Sequence, residues 1–260
     1  MLTAGRLQVD THALDNLARI AQAAGEAAMV HYDQPAVELK GDRSPVTAAD
    51  RAAHTVVVEA LAEWVPAVPV ISEEGRIPPF AERKDWSRFW LVDPLDGTKE
   101  FIQRNGEFTV NIALIDSGEP VLGVVYAPAV NLLYVAGRGL GAWRQRAAGP
   151  RERIYSRTAP RAGGLIVVES RSHPSAELER FIETIQVAER IAAGSSLKFC
   201  LVADGSADLY PRFGPTMEWD VAAGDCIWRN ATLTGQNPSQ LSYNTPELRN
   251  AGFVIGTTTT

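Results

Sequence analysis

Residues 90–98 read Trp-Leu-Val-Asp-Pro-Leu-Asp-Gly-Thr, and no other stretch limits the fold of this chain as strongly. The apolar run Phe89–Val92 predicts a buried strand, and at its carboxyl end it delivers Asp93 and Asp96 on either side of a Pro-Leu turn. Pro94 fixes its own φ and has no amide hydrogen, so the turn is stiff and the Leu95 carbonyl is available as a third oxygen. Two carboxylates and a carbonyl converging on one point form a hard-oxygen site suited to Mg²⁺ or Mn²⁺. Gly97 lets the backbone approach closely, and Thr98 is placed to open a helix whose free amides hold an anion beside the metal. Metal and anion together point to phosphate chemistry.

The 260 residues suffice for one large domain or two joined lobes, and 45% hydrophobic residues supply a core without disulfide staples. A net charge of −6 argues against general nucleic-acid binding, which needs a basic surface to displace counterions, but permits a small anionic substrate. Cys200 and Cys226 have neither CxxC spacing nor a disulfide framework, so a reducing compartment and small core residues are expected. The first thirty residues lack a basic start followed by an apolar run, and no eighteen consecutive residues are apolar. These features predict a cytoplasmic protein with no transmembrane segment, at most peripheral to the inner membrane.

Apolar residues at helical spacing predict an amphipathic helix from Asp10 to about Tyr32 and a second from Thr47 to about Trp64. A short strand, Val70–Ser72, then delivers Glu73 and Glu74. Phe108–Ile115 and Val121–Tyr126 form the clearest hairpin, with further strands at Leu132–Val135 and Gly141–Arg144. Residues 144–164 hold six arginines with little apolar periodicity. They read as a surface connection between an N-terminal α+β lobe, 1–150, and a C-terminal α/β lobe, 151–260. In the second lobe Leu165–Val168 suits a buried parallel strand, Ser175–Thr184 a helix and Val187–Ile191 a strand. The small-residue turn Gly194-Ser195-Ser196 opens another helix, Ala207–Tyr210 is a strand, and a last helix runs from Trp219-Asp220 to about Arg229. The terminal threonines are expected to be disordered.

Asp50, Glu73, Glu74, Asp93, Asp96 and Asp220 all fall where strands end or helices begin. Each has a bland explanation, helix capping or a solvated loop, but the Asp93/Asp96 pair lies behind a buried strand, where unpaired carboxylates are costly unless a cation is present. Competing chemistries leave no trace: there is no GxSxG elbow, no Walker-type GxxxxGK[ST], and Gly137, Gly139 and Gly141 complete no GxGxxG. His12, His31 and His54 sit in predicted helices without zinc-ligand spacing. His173 follows Glu169-Ser-Arg171-Ser in a loop, where Arg171 suits either a phosphate or an acidic neighbour.

Four segments in order resemble the site motifs of the inositol monophosphatase superfamily: Val46-Thr-Ala-Ala-Asp50, Ser72-Glu-Glu74, Asp93-Pro-Leu-Asp-Gly-Thr98 and Trp219-Asp220-Val-Ala-Ala-Gly224. The central motif is shared across the superfamily and names the reaction better than the substrate. Extensions at Thr98–Ile102, Asn105–Ile115, Ser170–His173, Gly194–Cys200 and Ala207–Pro211 resemble its bacterial 3′(2′),5′-bisphosphate nucleotidase branch, the CysQ type. The resemblance implies a layered αβαβα sandwich of two sheets with interleaved helices. It also implies Mg²⁺-dependent, lithium-sensitive hydrolysis of a phosphate monoester, with two or three ions and Mn²⁺ an acceptable substitute. Carried over residue by residue, Glu73, Asp93 and the Leu95 carbonyl hold one metal, and Asp93, Asp96 and Asp220 the second. Asp50 and Thr98 activate water with help from Glu74, Gly97 and Thr98 amides bind phosphate, and Gly194 and Ser195 lie along the rest of the substrate. Glu73, Leu95, Asp96 and Asp220 count among the substrate-binding positions as well.

For this branch the substrate is a small phosphorylated nucleotide, 3′-phosphoadenosine 5′-phosphate, cleaved to AMP and phosphate; a homodimer is a further expectation. Within the superfamily, inositol monophosphatase and fructose 1,6-bisphosphatase remain alternatives, because the metal residues are common to all. A regulator that binds Mg²⁺ and nucleotide without turnover is the alternative of another class, disfavoured by the Asp50–Thr98 pair. One departure stands out: after Trp228 the chain reads Arg-Asn-Ala-Thr-Leu-Thr, where relatives usually carry a Gly-containing turn after a longer helix, so the end of the last helix is open.

Overall fold

The computed structural model describes residues 7–34, 37–39, 45–159, 161–172, 175–232 and 241–257. Helix α1, Thr11–Met29, is capped by Asp10, whose side chain accepts the Ala13 amide. A two-stranded ribbon, β1 (Val37–Leu39) with β2 (Pro45–Thr47), leads into α2, Ala48–Trp64. Strand β3 is Val70–Ser72, and a short helix α3, Phe80–Arg83, precedes the long strand β4, Arg88–Asp96. Helix α4, Thr98–Gln103, then leads to a meander of β5 (Thr109–Asp116), β6 (Glu119–Ala127), β7 (Leu132–Gly137), β8 (Gly141–Arg146) and β9 (Glu152–Ile154). These strands make one seven-stranded sheet in the order β3-β4-β5-β6-β7-β8-β9. The β5–β6 turn is Ser117-Gly118, with φ of 56° and 79°, the pair of positive values that a two-residue type I′ hairpin needs.

The second half supplies β10 (Leu165–Ser170), α5 (Ala176–Ile182), β11 (Val187–Ala193), α6 (Leu197–Ala203), β12 (Leu209–Arg212), β13 (Thr216–Met217), α7 (Glu218–Ala231), β14 (Arg249–Asn250) and β15 (Phe253–Gly256). A four-stranded sheet has the order β11-β10-β12-β15, with β10 parallel to both neighbours; β13 and β14 form a separate pair.

Side-chain alternation explains the layering. Trp90 and Val92 pack with α1 and α2, whereas Phe89 and Leu91 pack with α6 and α7 on the opposite face of the large sheet. Ile166 and Val168 share that middle layer from the other side, while Leu165 and Val167 face Phe181 of α5. Runs such as Phe89–Val92 and Leu165–Val168 are therefore continuously apolar because helices cover both faces of their sheets. The order helices, sheet, helices, sheet, helix is the expected αβαβα sandwich. Phe199, Tyr210 and Phe253 stack edge-on or tilted, with ring centroids 5.4–5.5 Å apart, and pin α6 to the four-stranded sheet.

Several expectations are corrected. The arginine-rich stretch 144–164 is not a bare connection, because Arg144 and Arg146 finish β8 and Glu152–Ile154 pair with it as β9. Its arginines have structural partners: Arg144 binds Asp204 at 2.9 Å, Arg151 binds Asp15 at 2.6 Å, and Arg153 lies over Trp143. Helix α1 stops at Met29, leaving His31 beyond it, and α7 runs to Ala231. Thr257 is not disordered; it donates its amide to Asp208 and its hydroxyl to the Arg157 carbonyl. Thr258–Thr260, His173 and residues 233–240 lie outside the described residues.

Candidate active site

Strand β4 does not end at Val92; it continues to Asp96 through a β-bulge. Asp93 pairs with Asn111 and Asp96 with Thr109, three residues along β4 against two along β5. The extra residue decides which way side chains point. In an unbroken strand, residues three apart face opposite sides, but the bulge turns Leu95 into the α1–α2 layer with Trp90 and Val92. Asp93 and Asp96 are thereby brought to one wall of a cleft of about 400 Å³. Pro94 is tolerated in a central strand because it sits in the bulge, and because β3 stops at Ser72, opposite Val92. The Glu73 amide makes the last bond on that edge, to the Val92 carbonyl at 3.1 Å, which leaves the Glu73 side chain beside Asp93.

Across the cleft, Asp220 occupies the first turn of α7 and accepts the Met217 amide at 2.9 Å. Carboxylate oxygens of Glu73, Asp93 and Asp220 all lie within 4.8 Å of one another. Burial, then Glu73, Asp96 and Asp220, push the Asp93 carboxyl well above the usual carboxylate range, against the opposing Leu95 amide 3.0 Å away. Asp220 is raised in the same way, by burial and then by Asp96 and Glu73. Asp96 is also raised by burial, although Lys198 and the hydrogen-bonding Asn111 and Ser196 oppose the shift. Carboxylates crowded out of water that push one another's proton affinity up are a site short of positive charge, and an all-oxygen donor set fits a hard divalent cation.

Asp50 closes a capping box at the start of α2, its Oδ2 accepting the Thr47 amide and hydroxyl, each at 2.7 Å. Its other oxygen accepts the Thr98 hydroxyl at 3.3 Å. Thr98 lines the cleft and Asp50 stands behind it. Gly97 has φ of 92°, the left-handed conformation that turns the chain from β4 into α4 and that a side chain would strain. Leu95 and Gly97 both line the cleft; Glu74, half-buried in the turn after β3, does not.

Gly194 and Ser195 line the cleft as well and form its rim away from Asp93. Sequence reasoning passed over what connects that rim to the carboxylates. Asn111 donates to Asp96 at 3.1 Å and to the Ser196 hydroxyl at 2.9 Å, and Ser196 donates to the Asp220 carbonyl at 2.6 Å. Two cations stand there as well: Lys198, the end of the Gly194–Lys198 substrate turn read from the sequence, and Arg212, which that reading missed. Lys198 is buried at the cleft wall beside Arg212, and burial lowers its pKa to about 8 even with Asp96 nearby. Arg212 has no ion pair among the described residues. Its signal was its place two strand positions beyond Tyr210. Arg171 meets an acidic neighbour, Glu107, rather than the cleft. His54 is satisfied by the Ser72 hydroxyl at 2.8 Å.

The sequence profile of the inositol monophosphatase family matches residues 10–250. The chain belongs to that family. Among its members the 3′(2′),5′-bisphosphate nucleotidase CysQ of Escherichia coli K12 is 54% identical over 217 residues, covering 82% of this chain and 86% of that protein. The crystal structure of CysQ from Bacteroides thetaiotaomicron superposes with a TM-score of 0.80 at 42% identity, covering 94% of this chain and 97% of that one. An inositol monophosphatase from Thermotoga maritima superposes with a TM-score of 0.72 at 28% identity, covering 85% and 84%. Family membership makes the protein a phosphatase, and the Glu73–Asp93–Asp220 cluster is one that could hold a metal.

Proposed function

We propose that this protein is a Mg²⁺-dependent 3′(2′),5′-bisphosphate nucleotidase that hydrolyses 3′-phosphoadenosine 5′-phosphate to AMP and phosphate. One observation carries the reading beyond phosphatase: the cleft places two cations, Lys198 and Arg212, beside its carboxylates. A second phosphate on the substrate would meet those cations, which a bisphosphate nucleotide supplies and inositol 1-phosphate does not. The resemblance of the chain to a nucleotidase at 54% identity supports the same substrate class.

In this reading Glu73, Asp93 and the Leu95 carbonyl would hold one Mg²⁺, and Asp93, Asp96 and Asp220 a second. Two or three ions in all, replaceable by Mn²⁺, would acidify a water and neutralise charge on the transferring phosphoryl group. The chain's own groups do the rest. Thr98 holds the attacking water by its hydroxyl oxygen while donating to Asp50, and Asp50, fixed by Thr47, receives the proton. Glu74 assists from the turn after β3. Amides of Gly97 and Thr98 orient the phosphate to be cleaved, and Gly194 and Ser195 face the nucleoside. A cytoplasmic location, contact with the inner membrane surface and a homodimer complete the reading; among the described residues no helix is long and apolar enough to cross a membrane.

Phosphate release compared side by side on 3′-phosphoadenosine 5′-phosphate, inositol 1-phosphate and fructose 1,6-bisphosphate tests it. The nucleotide should turn over fastest, require Mg²⁺ and slow with added Li⁺. Preference for either sugar phosphate would refute the substrate assignment.

A further inference from the structure

Besides Lys198 at the cleft wall, the turn at Gly194-Ser195 is held in shape by Glu107 and Arg171, which do not line the cleft. Glu107, in the connection between α4 and β5, accepts the Gly194 amide through Oε2 at 2.8 Å. The same carboxylate takes a two-pronged pair from Arg171, Nε to Oε2 and Nη2 to Oε1, both at 2.7 Å. Arg171 Nη2 also donates to the Ala192 carbonyl at 2.7 Å, so one guanidinium clamps β11 and the carboxylate together. Next to it, Ser172 donates to Glu100. Burial alone would raise the Glu107 pKa, but Arg171 and the Gly194 amide outweigh it and hold the carboxyl below its usual range.

The turn is not relaxed on its own account. Ser195 has φ of 48°, the left-handed region that a serine seldom occupies. A side chain on residue 194 would meet the Glu107 carbonyl at 2.8 Å and Glu100 Cγ at 2.9 Å, so the backbone is pressed directly on the 100–107 segment. Lys198 donates to the Ser195 carbonyl. Ser195 lines the cleft, and its hydroxyl is buried with no hydrogen-bond partner among the described residues. A strained residue on a cleft wall needs neighbouring groups to hold its backbone, and Glu107 supplies one of them through the Gly194 amide.

We propose that Glu107, locked by Arg171, is a positioning residue that presets the Gly194–Ser195 turn for the part of the substrate away from the scissile phosphate. This rests on the nucleotidase reading for the identity of that part. Glu107 governs nucleotide affinity and not the rate of phosphate transfer, because the metal end has its own anchor in the Asp96–Asn111–Ser196–Asp220 chain. A preset turn does not lose ordering entropy on binding; a released one does.

The test compares Glu107→Ala, Glu107→Gln and Arg171→Ala on 3′-phosphoadenosine 5′-phosphate and on p-nitrophenyl phosphate, both with Mg²⁺. Glu107→Ala and Arg171→Ala should each raise KM for the nucleotide about tenfold, with kcat on the nucleotide and kcat/KM on the small ester changing less than about threefold. Glu107→Gln keeps an acceptor for the Gly194 amide and should fall between Glu107→Ala and wild type. The Glu107→Ala/Arg171→Ala double variant should be no worse than the worse single one. Equal losses on both esters, a fall in kcat at constant KM, or unchanged KM would each overturn the proposal. Should Glu107→Ala fail to fold, Glu107→Gln and Arg171→Ala carry the same comparison. Should wild type prefer a sugar phosphate, the nucleotidase reading fails, and the contrast between that substrate and p-nitrophenyl phosphate still decides the positioning role.

Discussion

Two of the acidic residues of helix α7, Asp220 and Asp225, stand five positions apart and live in opposite surroundings. Asp225 is fully buried and neutralised within the chain: Tyr243 donates to it at 2.7 Å and Arg229 faces it at 2.9 Å. Asp220, at the start of the helix, lies within reach of Glu73 and Asp93, and burial, then Asp96 and Glu73, push its proton affinity up. A structural carboxylate brings its own cation, whereas a functional one leaves that charge to be supplied from solution. Glu218, two residues before Asp220, is likewise answered within the chain, accepting the Asn244 and Thr245 amides at 2.7 Å each, and Asn244 accepts from Arg83.

The same substitution at both positions breaks the comparison most sharply. Asp220→Asn should reduce phosphate release by about a thousandfold or more, because it removes a ligand charge from the metal site. In metal-free buffer it should leave thermal stability equal to or above wild type. Turnover close to wild type would remove Asp220 from the metal set. Asp225→Asn should do the reverse, costing about 3 kcal/mol in denaturant unfolding because Arg229 loses its buried partner, while the folded fraction keeps its turnover. Loss of activity at undiminished stability would show that the two positions do not divide the work in this way.

A smaller effect sharpens the comparison through pH. In the metal-free protein the pKa values of Asp93, Asp96 and Asp220 are raised above those of the unfolded chain. The native state therefore binds more protons, and the stability these groups contribute is present below the unfolded carboxylate range and lost as pH rises through the folded values. The stability advantage of Asp220→Asn over wild type, measured in chelator, should accordingly grow from acid to neutral pH. Mg²⁺ at about a hundred times its dissociation constant should return about 2.7 kcal/mol to wild type and less to the variant. A stability gap that is flat with pH would mean that the cluster is not electrostatically strained.

Much of this was legible because local rules and the tertiary result agree. Thr47 and Asp50 spell a capping box, Ser117-Gly118 spells a hairpin turn, and the apolar runs at 89–92 and 165–168 announce doubly covered strands. What the sequence concealed depends on pairing between distant segments. Strand β9 has only three residues and exists because β8 offers an edge and Trp143 a face for Arg153. The link from Asn111 to Ser196 joins residues 85 positions apart. Glu107 and Arg171, separated by 64 positions, could be read singly only as charges with some neighbour. Arg212 resembles a surface cation until helix α6 and strand β12 bring it into one wall with Lys198.

The bulge between Asp93 and Asp96 makes the site sensitive to the count of residues as well as their kind. Losing a single codon at Pro94 or Leu95 would give the sheet a straighter ladder in which Asp93 and Asp96, now two residues apart, still share a face. What disappears is the extra residue of backbone that the bulge presents between them, where Leu95 lines the cleft. The two carboxylates alone therefore do not rebuild the site, because its third oxygen depends on a residue that regular pairing has no place for.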